Sequence, residues 1–413
     1  MKKYLFIGSV ILVIASACNR EGCTDPRADN FDKQAQIDDG TCEYSTERAE
    51  RLSQFKSQLA TIAYATYKDA HEDALLLQSE VESFLNFTTE QNFTFCREAW
   101  LLTRETYSQT VVFPFLLGQY DESAEMRIDA WPINPSRIDY TNGDDSRGII
   151  NQVQEYPDLN AQLLTELHQE GGPLNATIGS HVIELLLWGV DPSDTLDDKF
   201  GNRGYKDYLI EDGNHENQER RRAYLKIATQ LYVDDITELK DSWDPDIAGN
   251  TRSAFLALPG EEALANVLAG LGHIALRDLA ELQMGVAIAE PDSIAEQSDF
   301  SDYSDRDIIQ NARAMDNVYN GRYTSIYSER YSGPSMHEVI ALEYDTIAAG
   351  LITGFAECLK DCQEISPPFD ARAYREAVSG SGKGSISKAR QTLTETAQTI
   401  QRAIDDMALD ASF

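Results

Sequence analysis

The sequence predicts an all-α protein built from two helical bundles, and three observations carry that prediction. Beyond Ser45, apolar residues recur at steps of three and four, as one buried face of a helix requires. Sustained apolar/polar alternation, the mark of a half-buried strand, is hard to find, so no sheet of any size is expected. Chain breakers stand between the periodic runs at Asn142-Gly143, Gly171-Gly172-Pro173, Asp191-Pro192, Asp212-Gly213 and Pro367-Pro368. At 413 residues the chain is long for one bundle and suits two. Their boundary is expected near residues 245–255, after Trp243-Asp244-Pro245, giving bundles over 46–248 and 249–413.

Residues 1–17 read as an address. Lys2 and Lys3 form a basic start, and Tyr4 to Ala15 is an apolar run too short to span a bilayer comfortably. Ala15-Ser16-Ala17 then leads into Cys18, which resembles a bacterial lipoprotein signal with Cys18 as the lipidated first residue. An ordinary cleaved signal beside an incidental cysteine is the alternative. The expected location is the cell envelope, anchored by lipid to the outer membrane, facing the periplasm or the surface. No other segment has the length of a membrane helix, so membrane contact is expected only through the anchor.

Residues 18–45 form a tether. Export permits disulfides, and Cys23 and Cys42 are expected to pair, closing a loop worth roughly 3 kcal/mol. The stretch resembles the short GCTDP…DDGxC modules of exported Bacteroidetes proteins. It reads as a disulfide-pinned spacer, or as a calcium site using Asp25, Asp38 and Asp39, because hard cations take clustered oxygens. Cys96, Cys358 and Cys362 remain, so at least one of these is free or paired to another molecule.

Helical stripes follow. Leu52, Phe55, Leu59 and Ile62 form the first; Tyr224, Ile227, Leu231, Asp235 and Leu239 form another, broken by one carboxylate. Leu264, Leu268, Leu271, Ala275 and Leu282 repeat the rhythm, and Leu393, Ala397, Ile400, Ile404 and Met407 hold it after a Gly/Ser loop over 379–385. The formal net charge of −34 excludes nucleic acid and anionic lipid as main partners, since both would be repelled. The carboxylate surplus suits a solvated exported protein or one that handles cations.

One helix differs from the rest. Thr177 to Trp188, with Asn175 as N-cap and Gly189 beyond, is apolar around nearly its whole circumference and should be buried all round. Yet it carries His181 and Glu184, neighbours on one face. A lone buried carboxylate costs several kcal/mol unless it is paired, hydrogen-bonded or protonated. Two readings compete: the pair bonds internally and fixes packing, or an imidazole nitrogen and a carboxylate oxygen face a metal ion at a cleft.

The segment Gly179-Ser180-His181-Val182-Ile183-Glu184 resembles the GxHxxE signature of the imelysin, peptidase M75-like family linked to bacterial iron uptake. The likeness extends to Ala99-Trp100-Leu101-Leu102-Thr103-Arg104, Asp129-Ala130-Trp131-Pro132, Ile138-Asp139-Tyr140, Gly201-Asn202-Arg203, Arg221-Arg222-Ala223-Tyr224-Leu225 and Ser298-Asp299-Phe300-Ser301-Asp302. The resemblance implies an all-helical fold of two four-helix-bundle-like halves packed with a cleft between them. It also implies an exported protein, frequently a lipoprotein, of iron acquisition, with an outer-membrane receptor as a possible partner. Carried over by position, His181, Glu184 and Asp302 are the implied metal ligands, while Trp100, Arg104 and Ser301 bind the ligand. The implied cofactor or cargo is iron or another divalent ion, alone or in an iron-bearing small molecule.

The chain departs from the family pattern. Gln297 and Asp305 stand where relatives carry histidine, and Asp129 stands where Asn is usual, so any metal site here is richer in oxygen. A zinc peptidase needs three protein ligands, an open position for water and a nearby base. H-E-x-x-H is absent, as are a Gly-x-Ser-x-Gly elbow and a phosphate loop. The reading is therefore a non-enzymatic binding lipoprotein. An extracytoplasmic metallopeptidase and a purely structural lipoprotein are the alternatives.

Overall fold

The structure, a computed structural model, describes residues 20–26, 28, 30–43, 46–118, 126–141, 146–190, 201–289 and 296–413. The leader and Cys18 lie outside the described residues. By packing, the chain forms two compact units, Met1–Ala49 and Glu50–Phe413. In the first unit Cys23 and Cys42 are disulfide-bonded, and Glu21–Gly22 runs parallel to Ile37–Asp38.

The second unit is all-α. Its principal helices are α1 (Thr46–Asn86, beginning in the first unit), α2 (Glu90–Tyr107), α3 (Ser180–Trp188), α4 (Gln218–Trp243), α5 (Gly260–His273), α6 (Ser304–Tyr319), α7 (Asp345–Gln363), α8 (Phe369–Ser379) and α9 (Ser385–Asp406). Among the described residues of this unit, strand pairing is limited to the ribbon Arg322–Thr324 with Arg330–Ser332. No single described helix is long and apolar enough to cross a membrane.

Two apolar cores fill the unit. The first gathers Leu52, Phe55, Leu59 and Ile62 of α1 with α5, α6, α7 and α9. The second gathers Ala74, Leu77, Val81 and Phe84, further along α1, with α2, α3 and α4. Helix α1 serves both, and Asp69 and Asp73 are buried between its two apolar stretches. Asp69 accepts from the Tyr323 hydroxyl at 2.8 Å, and Asp73 from the Thr106 hydroxyl at 3.0 Å.

The sequence stripes hold where the helix stays regular. Leu393, Ala397, Ile400, Ile404 and Met407 are all buried along α9 and its cap. Leu264, Leu268, Leu271 and Ala275 are fully buried, but Leu282 is 48% exposed. The cause is local: α5 continues into a π-helical segment, Ile274–Gly285, whose wider turns rotate later residues off the α-helical face. In α4 Tyr224 of the expected stripe is fully buried, and the buried face continues through Leu225, Ala228, Tyr232 and Ile236, while Ile227, Leu231 and Leu239 pack half-buried against the same core. Asp235, the carboxylate that interrupts that line, pairs with Arg127 at 2.9 Å.

Candidate functional site

The site is built on α3, where every residue from Ser180 to Trp188 is buried. The helix starts at Ser180 rather than Thr177, because Gly179 takes φ +104° and turns the chain into it. A Cβ at Gly179 would sit 2.7 Å from the Arg127 carbonyl oxygen and 2.9 Å from that of Ile128, so only glycine fits. This close approach brings the 127–129 backbone against the first turn of α3 and sets Asp129 beside His181.

His181 is held between two carboxylates. Its Nδ1 lies 2.7 Å from Glu184 Oε2, and its Nε2 lies 3.0 Å from Asp129 Oδ1. The second contact is off the donor axis, leaving Nε2 without an aligned hydrogen bond. Glu184 is fully buried, and its other oxygen accepts from Ser301 N at 2.9 Å and Ser301 Oγ at 2.7 Å. Burial pushes the imidazole pKa down, but its contacts with Asp129 and Glu184 outweigh burial and hold it up to about 9.

Arg104 extends the cluster from α2. It is fully buried and donates to both oxygens of Asp129, to Asp307 Oδ1 at 2.9 Å and to Ser180 Oγ at 3.4 Å. Asp307, in the first turn of α6, also accepts from the Ser108 and Ser298 hydroxyls. Burial would raise the Asp129 carboxyl, but Arg104 and His181 bring it down to about 2. Formally, the cluster sets Arg104 and an imidazolium against Asp129, Glu184 and Asp307, one negative charge in excess.

Two cavities reach this cluster. One, of about 230 Å³, is walled by Ser108, Asp129, Asp278, Gln283, Gln297 and Asn311. The other, of about 180 Å³, is walled by Trp131, Leu174, His181, Glu296, Gln297 and Asp299. Gln297 borders both and donates to Asp129 Oδ2 at 2.8 Å while accepting from Gln283 at 3.1 Å.

The expected site residues gather only in part. His181, Glu184, Arg104 and Ser301 meet directly. Trp100 packs edge-on to the His181 ring with centroids 6.3 Å apart, and its Nε1 donates to the Ser180 carbonyl at 3.0 Å. Asp302, expected as a ligand, follows Ser301 at φ +56° and belongs electrostatically with Glu296, Asp299 and Asp370. Glu184, also expected as a ligand, has one oxygen on His181 Nδ1 and the other on Ser301, so it meets the ring at the nitrogen other than Nε2. Asp305 is buried in the first turn of α6, and burial pushes its carboxyl up to about 6. In the first unit, Asp38 and Asp39 accept backbone N–H bonds at 3.0 Å from Gly40 and Thr41, in local turns. Among the described residues, no three His, Cys, Asp or Glu side chains converge on a metal position, and Asp25, Asp38 and Asp39 are no exception.

Asp129, Asp307 and Gln297 are functional candidates that the sequence reading left without a role. The available signal was Arg104: a buried guanidinium needs carboxylates, and Asp129 stood in one of the matching blocks. Asp139, Arg203 and Arg221, from the same set of blocks, form a separate buried cluster, with Arg203 and Arg221 donating to Asp139 at 2.5 and 2.6 Å.

Comparison with known proteins agrees with the all-α fold. The family model described as Imelysin, Peptidase_M75, matches residues 63–404. No curated protein sequence matches the chain. Its fold is similar to the crystal structure of an iron-regulated protein A precursor from Parabacteroides distasonis ATCC 8503, with TM-score 0.64 and 16% identity over 86% of this chain and 95% of that one. It is also similar to an imelysin-like protein from Psychrobacter arcticum 273-4, with TM-score 0.55 and 13% identity over 88% of this chain and 98% of that one.

Proposed function

The chain belongs to the imelysin family, and from that footing we propose that it is a binding lipoprotein of bacterial iron acquisition rather than an enzyme. Its cargo is a metal ion, or a small molecule carrying one, taken up between His181 Nε2 and Asp129. Lipid on Cys18 tethers it to the cell envelope, where an outer-membrane receptor exchanges cargo with it.

The observation that carries this reading is the orientation of His181. A metal-ligating imidazole characteristically gives its other N–H to a carboxylate, which fixes the tautomer and aims the free nitrogen. Glu184 stands in that position at Nδ1, so its role is to orient His181 rather than to ligate. The unaligned Nε2 and Asp129 Oδ1, 3.0 Å apart, match adjacent donors on an ion held about 2.0–2.2 Å from each. Replacing the imidazolium proton by a divalent ion also cancels the excess negative charge of the cluster.

Two protein donors are too few to hold a bare ion tightly, and the cavities beside them leave room for donors brought by the cargo. A zinc hydrolase would need a third protein ligand. The test is elemental analysis of protein purified without chelators. Iron or another transition metal is expected in the wild type and should be lost from His181→Ala. Equal metal content in both would remove His181 from the site.

A further inference from the structure

We propose that the cavity of about 230 Å³ beside Asp129 holds the organic part of the cargo, and that this part is a neutral hydroxamic acid, –C(=O)–NH–OH, on a short chain. The proposal rests on the metal reading for its place in the function, and on other residues for its chemistry. Asn311 is the first of them. It stands one turn beyond Asp307 on the same face of α6 and walls the cavity. It is only 5% exposed, and its carboxamide makes no hydrogen bond among the described residues. A buried carboxamide left unsatisfied is expensive, and such groups in native proteins call for an explanation.

Gln283 is the second. It is also 5% exposed, gives its N–H to Gln297 at 3.1 Å and keeps its carbonyl oxygen unbonded. It belongs to the π-helical segment, whose wider turns set Asp278, Leu282 and Gln283 along one wall of the cavity. Asn311 and Gln283 therefore present an N–H donor and two carbonyl acceptors to one small space.

The charges decide what fills it. Asp129 is paired with Arg104, and Asp278 lies 3.4 Å from His273, so neither acid calls for a cation. No lysine or arginine among the described residues walls the cavity, so a carboxylate or catecholate chelator meets no counter-charge there. A neutral ligand remains. The –C(=O)–NH– edge of a hydroxamic acid gives Asn311 an acceptor and a donor in return, and its N–OH is a second donor, for Gln283. On a metal held by His181 and Asp129, the same group releases its hydroxyl proton to solvent and supplies two of the oxygen donors the protein lacks. Val111, Met126 and Leu282 are apolar walls for a short hydrocarbon chain. At about 230 Å³ the space is smaller than a drug-sized pocket, so it takes one hydroxamate group rather than several.

The probe is acetohydroxamic acid, titrated calorimetrically into the metal-free full chain, with acetamide and acetate as controls. Saturable binding of acetohydroxamic acid is expected, with weaker binding of acetamide, which lacks the hydroxyl, and none of acetate. Asn311→Leu should weaken acetohydroxamic acid binding at least about tenfold, the scale of two lost hydrogen bonds. It should not lower the melting temperature, because the carboxamide it removes has no protein partner. No metal enters this titration, so its failure is separate from failure of the metal reading, which elemental analysis tests alone. Acetate or acetamide binding equal to that of acetohydroxamic acid, no saturable isotherm, or an isotherm unaltered by Asn311→Leu would each overturn the proposal. If Asn311→Leu does not fold, the wild-type contrast between acetohydroxamic acid and the two controls decides.

Discussion

Glu184 accepts from His181 Nδ1 across 2.7 Å, one helical turn along the same buried helix. The bond fixes which imidazole nitrogen remains for Asp129 and the cavities. The first prediction follows directly. Glu184→Gln should lower metal affinity by about 10–100-fold, the usual effect of removing a carboxylate that orients a ligating histidine. Equilibrium dialysis against a buffered metal measures it.

Arg104 is the mechanical centre of the cluster, since it joins α2 to Asp129 and to Asp307 of α6. Arg104→Ala strands two carboxylates in a buried setting and should cost about 3–5 kcal/mol in urea unfolding. Arg104→Lys should recover only part of that loss, because one ammonium cannot reproduce the guanidinium fork.

The pH dependence has a definite sign. The folded pKa of His181 is raised to about 9 from an ordinary 6.5. Its contribution to stability is therefore complete below about 6.5 and is lost as pH rises through about 9, an effect on the order of 3 kcal/mol. Urea unfolding should show the wild type losing more stability than His181→Gln between pH 7 and 10.

Gly179→Ala should destabilise by at least about 1–3 kcal/mol, since φ +104° is strained for alanine and the new methyl meets two carbonyl oxygens. Gly204→Ala, where a Cβ meets nothing nearer than 4.0 Å, should stay within about 0.5 kcal/mol. Parallel thermal melts compare the two.

What the sequence revealed depended on how local the cause was. The all-round apolar character of Ser180–Trp188 marked a buried helix, and HxxE spacing placed two ionisable groups on one face. Neither could show that Glu184 would be saturated by Ser301, 117 positions away. Likewise Asp307 meets Arg104 across 203 positions, a pairing that helix periodicity does not encode. Leu282 left its stripe because the helix widens beyond His273, and nothing in the apolar rhythm announces a π-turn. Asp129 read as a departure from a family pattern, whereas the fold makes it the only acid facing His181 Nε2 among the described residues.

The central claim is that His181 and Asp129 jointly hold the metal. Anaerobic calorimetric titration of ferrous iron into wild type, His181→Ala and Asp129→Asn tests it most directly. One saturable site that releases a proton in the wild type, and is weakened at least about tenfold in both variants, is the predicted result. Indistinguishable isotherms for the three proteins would contradict it.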